Sequence, residues 1–305
     1  MNLSATKPAD FDSFWQGTMD DLARFPARPE IEVLPIRCTD YATMYRVLLT
    51  GAGPYRLFAY LSVPVGEGPF PAIYYVPGYS SVVAPIPQGS PNQLRSRYVT
   101  LSLAARGQRN SDMPFAAMFP GFLTEGIDDR DSYMFRWVAA DCVRGLEFLL
   151  SRPSDEVDAT MVTASGGDMA LIASALHAGV THLICGPALF YDTAELASRT
   201  REYPLTEVND YARLHPESMD EVRRTLSYFD LRWFAPRVRA TTLLLAGAPG
   251  GSLDRRALDP LVGSVQGDVT VHDSESSSYK DGLFTESWLT EQLGFDEPIL
   301  PEGWQ

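Results

Sequence analysis

From residue 70 onward, short apolar runs alternate with helical segments, and this alternation constrains the fold more than any other feature. Phe70–Val76 (FPAIYYV) ends in Pro77-Gly78. Tyr98–Leu103 (YVTLSL), Met161–Thr163, Leu183–Cys185, Thr241–Ala246 (TTLLLA) and Val269–His272 follow. Such runs are apolar on both faces, as a strand covered by helices on both sides requires. Between them Ser132–Leu150 has the spacing of a long amphipathic helix closed by Arg152-Pro153. The pattern predicts an α/β fold with a mostly parallel central sheet and flanking helices. Upstream, Asp10–Phe25 predicts a helix with Phe11, Phe14 and Trp15 on one face, stopped by Pro26. Ala42–Thr50 and Tyr55–Val63 flank the turn GAGP and predict an antiparallel hairpin. The 305 residues are expected to form a single domain, with 1–30 as an N-terminal helical arm and 186–236 as a lid-like insertion.

Composition excludes several classes. A net charge of −14 argues against nucleic acid or an anionic membrane as partner. Three scattered cysteines give neither a disulfide framework nor a zinc motif, so no metal or other cofactor is expected. The start MNLSATKPADFDSFW lacks a basic head followed by an apolar run, and no apolar run reaches the roughly 18 residues of a membrane span. A cytoplasmic protein with a small-molecule substrate or ligand is the resulting expectation.

The stretch Val162–Leu176, VTASGGDMALIASAL, reads as strand, tight turn and helix. Ser165 stands where the nucleophile of a Gly-x-Ser-x-Gly elbow stands. Gly167 fits that pattern two residues on, but Thr163 occupies the first glycine's position. Aligning on the Gly-Gly pair instead puts Ala164 at the nucleophile position. Ser165 is therefore either a nucleophile or a helix-capping hydroxyl.

Several segments in order resemble the acetyl xylan esterase / cephalosporin C deacetylase family of α/β-hydrolases. Pro77-Gly78-Tyr79-Ser80-Ser81 is similar to its His-Gly-Tyr-x-Gly loop, and Ala105-Arg106-Gly107-Gln108 to its Arg-Gly-Gln-Gly signature. Gly126-Ile127-Asp128 through Tyr133, Arg136 and Asp141 resembles a third segment. Thr225–Asp230 followed by Phe234-Ala235 resembles a fourth, and Phe14-Trp15 also fits. The resemblance implies an α/β-hydrolase fold and a Ser-His-Asp enzyme that removes small acyl groups. It also implies a homo-oligomer, typically a hexamer, and an oxyanion hole from the backbone N–H groups of Tyr79 and Gly166.

Carried over residue by residue, the family's other triad positions are replaced. Its Gly-x-x-Asp turn reads Gly247-Ala-Pro-Gly250, and its Gly-His-Glu segment falls on Ser276-Ser277-Ser278. The four histidines are His177, His182, His215 and His272. Only His272, at a strand end, and His215, in the insertion, are placed near enough in the chain to consider. Asp254 reads as a helix cap and Arg106 as a structural residue. The catalytic candidates are Ser165, Tyr79 and Gly166. Ser80, Asp168, Tyr191, His215, His272 and Ser277 are expected to line the pocket. A serine without a base is a weak nucleophile, while an oxyanion hole stabilises carbonyl charge whatever follows. The expected function is thus non-hydrolytic: cyclisation, elimination or isomerisation of a carbonyl compound, as in specialised metabolism, with Ser-His-Asp hydrolysis set aside. The alternatives are a non-catalytic ligand- or partner-binding relative and a residual deacetylase using Ser165.

Overall fold

The computed structural model describes residues 5–79, 82–88, 90–113 and 117–300. In chain order, the first half runs α1 (Phe11–Ala23), β1 (Glu30–Val33), β2 (Ala42–Thr50), β3 (Arg56–Pro64), β4 (Phe70–Tyr75), β5 (Val99–Ala104), α2 (Met134–Leu150), β6 (Val157–Gly166) and α3 (Asp168–Leu176). Then follow β7 (His182–Cys185), α4 (Thr193–Arg199), α5 (Thr206–Leu214), α6 (Met219–Ser227), α7 (Leu231–Phe234), β8 (Thr241–Ala246), α8 (Arg255–Val262), β9 (Val269–Asp273) and α9 (Ser278–Leu293).

The strands form one sheet in the order β1-β2-β3-β5-β4-β6-β7-β8-β9. β1, β2, β3 and β5 pair antiparallel, and the remaining pairs are parallel. This is the mostly parallel α/β sheet that the alternation of apolar runs predicts, in the α/β-hydrolase arrangement that the resemblance implies. β4 lies inside the sheet between β5 and β6, so the chain changes winding direction there. Ligands of open α/β sheets bind outside the carboxyl ends of the strands at such a switch point.

Two side-chain layers flank the parallel strands. Tyr74, Ala164, Leu183 and Leu244 join the main core, together with buried residues of α2 and α3. Ile73, Ile184 and Leu243 face the other way, against Trp288, Leu289 and Leu293 of α9. The alternation follows from the period of two along a strand. Where α2 crosses β4, Gly145 is required by close approach: a Cβ there would stand 2.4 Å from the Tyr74 hydroxyl.

The arm and the insertion are parts of the core. Phe11 and Trp15 are fully buried and pack edge-on against Phe229 and Phe234. Trp15 Nε1 donates to the Tyr228 carbonyl at 3.0 Å. The stretch expected as a lid supplies Phe190, Val208, Val222, Phe229 and Phe234 to the main core. Among the described residues no helix is long and apolar enough to cross a membrane.

Candidate active site

The expected site lies at the carboxyl edge where β4, β6 and β7 end. β6 stays in register further than its apolar run suggests. Ser165 pairs with Tyr75 of β4 and Ile184 of β7, and Gly166 pairs with Cys185. The Ser165 carbonyl accepts from Val76 N at 2.9 Å, and the Gly166 carbonyl from Gly186 N at 3.1 Å. The turn into α3 therefore falls on Gly167, after the serine. No residue from 163 to 168 has a positive φ. The strained elbow of an α/β-hydrolase is replaced by an extended serine at a strand end. Gly166 suits this close packing, since a Cβ there would stand 3.0 Å from the Val76 carbonyl oxygen.

The register also separates the two candidates for the nucleophile position. Ala164 is fully buried in the core on the α2 and α3 side. Ser165 is half-buried, and its strand neighbours Tyr75 and Ile184 belong to the opposite face. Among the described residues the Ser165 hydroxyl has no hydrogen-bond partner.

The peptide between Gly78 and Tyr79 is held in place from one side by the Arg106-Gly-Gln108 segment. Gln108 Nε2 donates to the Gly78 carbonyl at 3.2 Å, and its Oε1 accepts from Ala105 N at 2.9 Å. A peptide is planar, so fixing the Gly78 carbonyl also fixes the Tyr79 N–H, which points the opposite way. Arg106 underpins that segment. Its Nε and a terminal guanidinium nitrogen donate to the two Asp141 carboxylate oxygens, both at 2.7 Å, and its backbone N–H donates to Asp141 at 3.1 Å. The Ala52 carbonyl accepts from the same guanidinium at 3.1 Å. Asp141 is fully buried, so pair and partners satisfy one another inside the fold.

On its other side Tyr79 meets the insertion. Its hydroxyl donates to Glu207 of α5. Its ring lies near those of Phe122, Phe135 and Tyr203. Burial pushes the Tyr79 hydroxyl far above the usual phenol range, and the Glu207 carboxylate adds to this, so it remains a donor. Burial likewise pushes the Glu207 carboxyl up, against hydrogen bonds from Tyr79, the Leu123 N–H and Tyr203. Beyond Tyr203 opens a cavity of about 350 Å³ between the loops after β7 and β8 and the insertion. Leu189, Leu196, Leu205 and Leu253 line it, with Glu202 as its carboxylate.

Other expected pocket residues stand elsewhere or are committed within the fold. Asp168 is only 5% exposed, and its carboxylate accepts the N–H groups of Ala188, Leu189 and Phe190. It ties the start of α3 to the loop after β7, and its oxygens are taken up there. The Tyr191 hydroxyl donates to the Ala257 carbonyl at 2.6 Å. Ser277 caps α9, accepting from Lys280 N at 3.4 Å. Ser80 lies outside the described residues.

Among the described residues no histidine is hydrogen-bonded to the serine. His215 ends α5 with its side chain 46% exposed, beside Tyr211. His177 ends α3, and His182 opens β7 at the opposite end of that strand from Cys185. His272 is buried on β9, stacked on Phe284, with Nε2 2.8 Å from Asp281 Oδ1. β9 lies three strands from β6, and the register runs Ser165, Ile184, Leu243, Thr270. Three strand spacings and two residues of rise put His272 on the order of 15 Å from Ser165. Gly250, at the family's acid position, has a left-handed φ of 83°. Asp254 caps α8 by accepting from Ala257 N at 3.0 Å.

Sequence reasoning missed Glu207. A glutamate on an amphipathic helix has no local pattern that sets it apart from a surface residue. Among the described residues no group of three or more His, Cys, Asp or Glu side chains is arranged to hold a metal ion.

Comparison with known proteins bears on this geometry. The model of the family described as Acetyl xylan esterase (AXE1) matches residues 2–249. Acetyl esterase Axe7A of Xylanibacter ruminicola is 26% identical over 251 residues, covering 79% of this chain and 56% of that protein. The chain thus spans about half the length of this curated relative. Acetyl xylan esterase from Paenibacillus sp. R4 superposes with a TM-score of 0.78 at 24% identity, over 94% of this chain and 96% of that one. Acetyl Xylan Esterase 1 from Thermoanaerobacterium sp. JW/SL YS485 gives 0.78 at 22%, over 94% and 95%. These likenesses show the fold. The family match corrects the expectation of cyclisation, elimination or isomerisation, and with it the setting aside of Ser-His-Asp hydrolysis. The matched family is one of esterases. The chain belongs to the acetyl xylan esterase family.

Proposed function

We propose that the protein is a carboxylic-ester hydrolase that removes small acyl groups, acetyl above all, from a sugar or related alcohol. The observation that carries this reading is the family match across residues 2–249, which includes both the Tyr79 peptide and Ser165. In the proposed reaction Ser165 passes its proton to water and attacks the ester carbonyl, and the Tyr79 N–H receives the oxyanion. The alcohol leaves with a proton, and water hydrolyses the acyl-serine to release the acid and restore Ser165. The Gly166 N–H, the second donor by family resemblance, belongs to the β6–β7 ladder and is not part of the step. A donor such as the Tyr79 N–H acts on charge that develops only in the transition state, which is why it accelerates the step. The cavity beyond Tyr203 is of a size to take the alcohol part of the substrate. A homo-oligomer in the cytoplasm belongs to the same proposal.

Two measurements test it. A fluorophosphonate probe should label Ser165, and Ser165→Ala should abolish hydrolysis of p-nitrophenyl acetate. An unlabelled protein, or unchanged activity in Ser165→Ala, refutes the reading. His272 with Asp281 is a histidine–carboxylate pair, but it stands on the order of 15 Å from Ser165, so His272→Gln is expected to leave hydrolysis of p-nitrophenyl acetate unchanged.

A further inference from the structure

We propose that Glu207 is a positioning residue that locks the Tyr79 peptide from the side of the insertion. This inference rests on the hydrolase reading above. Glu207 is 3% exposed, yet it sits on α5, outside the sheet. One carboxylate oxygen accepts from the Tyr79 hydroxyl, and the other accepts from Leu123 N at 2.9 Å. The Leu123 carbonyl in turn accepts from the Tyr133 hydroxyl at 2.9 Å, and Tyr133 is fully buried at the start of α2. A continuous path therefore runs from the core helix through Leu123 and Glu207 to Tyr79. The carboxylate is seated closely enough to exclude a side chain at Gly121, where a Cβ would stand 2.3 Å from Glu207 Cδ.

The consequence follows from peptide geometry. Gln108 holds the Gly78 carbonyl, and Glu207 holds the Tyr79 side chain. One anchor alone leaves the peptide free to rock about the other. Two anchors on either side of it fix the direction of the Tyr79 N–H before substrate arrives. Preorganised donors avoid reorganisation during the reaction, so loosening one should lower kcat while leaving substrate binding nearly unchanged. Glu207 does not touch the reacting atoms in this scheme and acts through Tyr79.

The test uses the full chain and four variants with p-nitrophenyl acetate. Tyr79→Phe keeps the ring and the backbone N–H but loses the donor to Glu207. Glu207→Ala removes the acceptor, and Glu207→Gln keeps one oxygen for Tyr79. Tyr79→Phe and Glu207→Ala are each expected to lower kcat about tenfold with KM within about twofold, a fraction of the loss from deleting an oxyanion donor. The double variant should be no slower than either single variant, and Glu207→Gln should recover most of the rate. Effects that multiply in the double variant, or a change confined to KM, would overturn the proposal. Hydrogen exchange gives a readout independent of activity: the Tyr79 and Leu123 amides should exchange about tenfold or more faster in Glu207→Ala, and the Tyr79 amide alone in Tyr79→Phe. Unchanged exchange overturns the proposal even if the wild-type protein hydrolyses no ester. If Glu207→Ala does not fold, Tyr79→Phe decides the matter. An inactive wild type that the probe does not label defeats the hydrolase reading separately.

Discussion

Two carboxylates in this fold use the same chemical device in different places. Asp141 accepts the Arg106 backbone N–H and two guanidinium donors. Asp281 accepts from His272, from the Ser274 hydroxyl at 2.8 Å and from Glu275 N at 2.9 Å. Asp141 is sealed at the middle of the molecule, while Asp281 keeps a quarter of its side chain exposed beside the edge strand β9. The first pair supports the segment that holds the Gly78–Tyr79 peptide. The second fastens the turn from β9 into α9. Location decides what the same number of hydrogen bonds is worth. A buried carboxylate has no water to fall back on, whereas an edge carboxylate does.

Breaking the central pair should have the largest effect. Asp141→Ala leaves the Arg106 guanidinium buried without its counter-charge and is expected to cost about 3–5 kcal/mol. Urea unfolding followed by circular dichroism measures it. A loss below about 1 kcal/mol would mean that water reaches Arg106 and would erase the contrast. Asp281→Asn should cost about 1 kcal/mol near neutral pH, because solvent replaces part of what is lost. Burial pushes the Asp281 carboxyl up, but hydrogen bonds from Glu275 N, His272 and Ser274 outweigh it and hold it at about 2. A folded value below the ordinary carboxylate value of about 3.9 contributes stability above roughly pH 4, and that contribution fades as pH falls toward 2. The wild-type acid transition should therefore be shallower in Asp281→Asn over that window, and a superimposable acid limb would refute the assignment. The smallest effect is expected at Ser277. Ser277→Ala removes the α9 cap and should cost about 0.5–1 kcal/mol, readable as a small shift in urea midpoint with unchanged m-value.

The central half of the molecule was more legible in the sequence than the edge. Apolar runs without alternation identified the parallel strands, because burial on both faces leaves no polar face to interrupt them. The Arg106-Gly-Gln108 segment and Asp141 were recognisable as a set although they are far apart in the chain. Each residue of the set does one mechanical task for the Tyr79 loop. What escaped was long-range and unpatterned. Glu207 reaches Tyr79 across 128 positions. Nothing in its neighbourhood distinguishes it from Glu202, which faces a cavity. Asp168 reads as a first-turn acid complementing the helix dipole, and only the fold shows three backbone N–H groups converging on it. An elbow motif assumes a break at the serine, whereas pairing with β4 runs to Ser165 and pairing with β7 runs on to Gly166.

The arm also bears on the order in which the molecule is built. Trp15 and the Tyr228 carbonyl that it meets are 213 positions apart. During synthesis from the N-terminus, the first helix is made early and its aromatic partners late. Phe11, Phe14 and Trp15 therefore stay without their native cover until residue 234 has left the ribosome. Closure of the arm onto Phe229 and Phe234 is a late, long-range event, slow because the contact it makes spans 213 positions. Until then α1 carries an uncovered aromatic stripe, a surface of the kind that favours aggregation and chaperone binding.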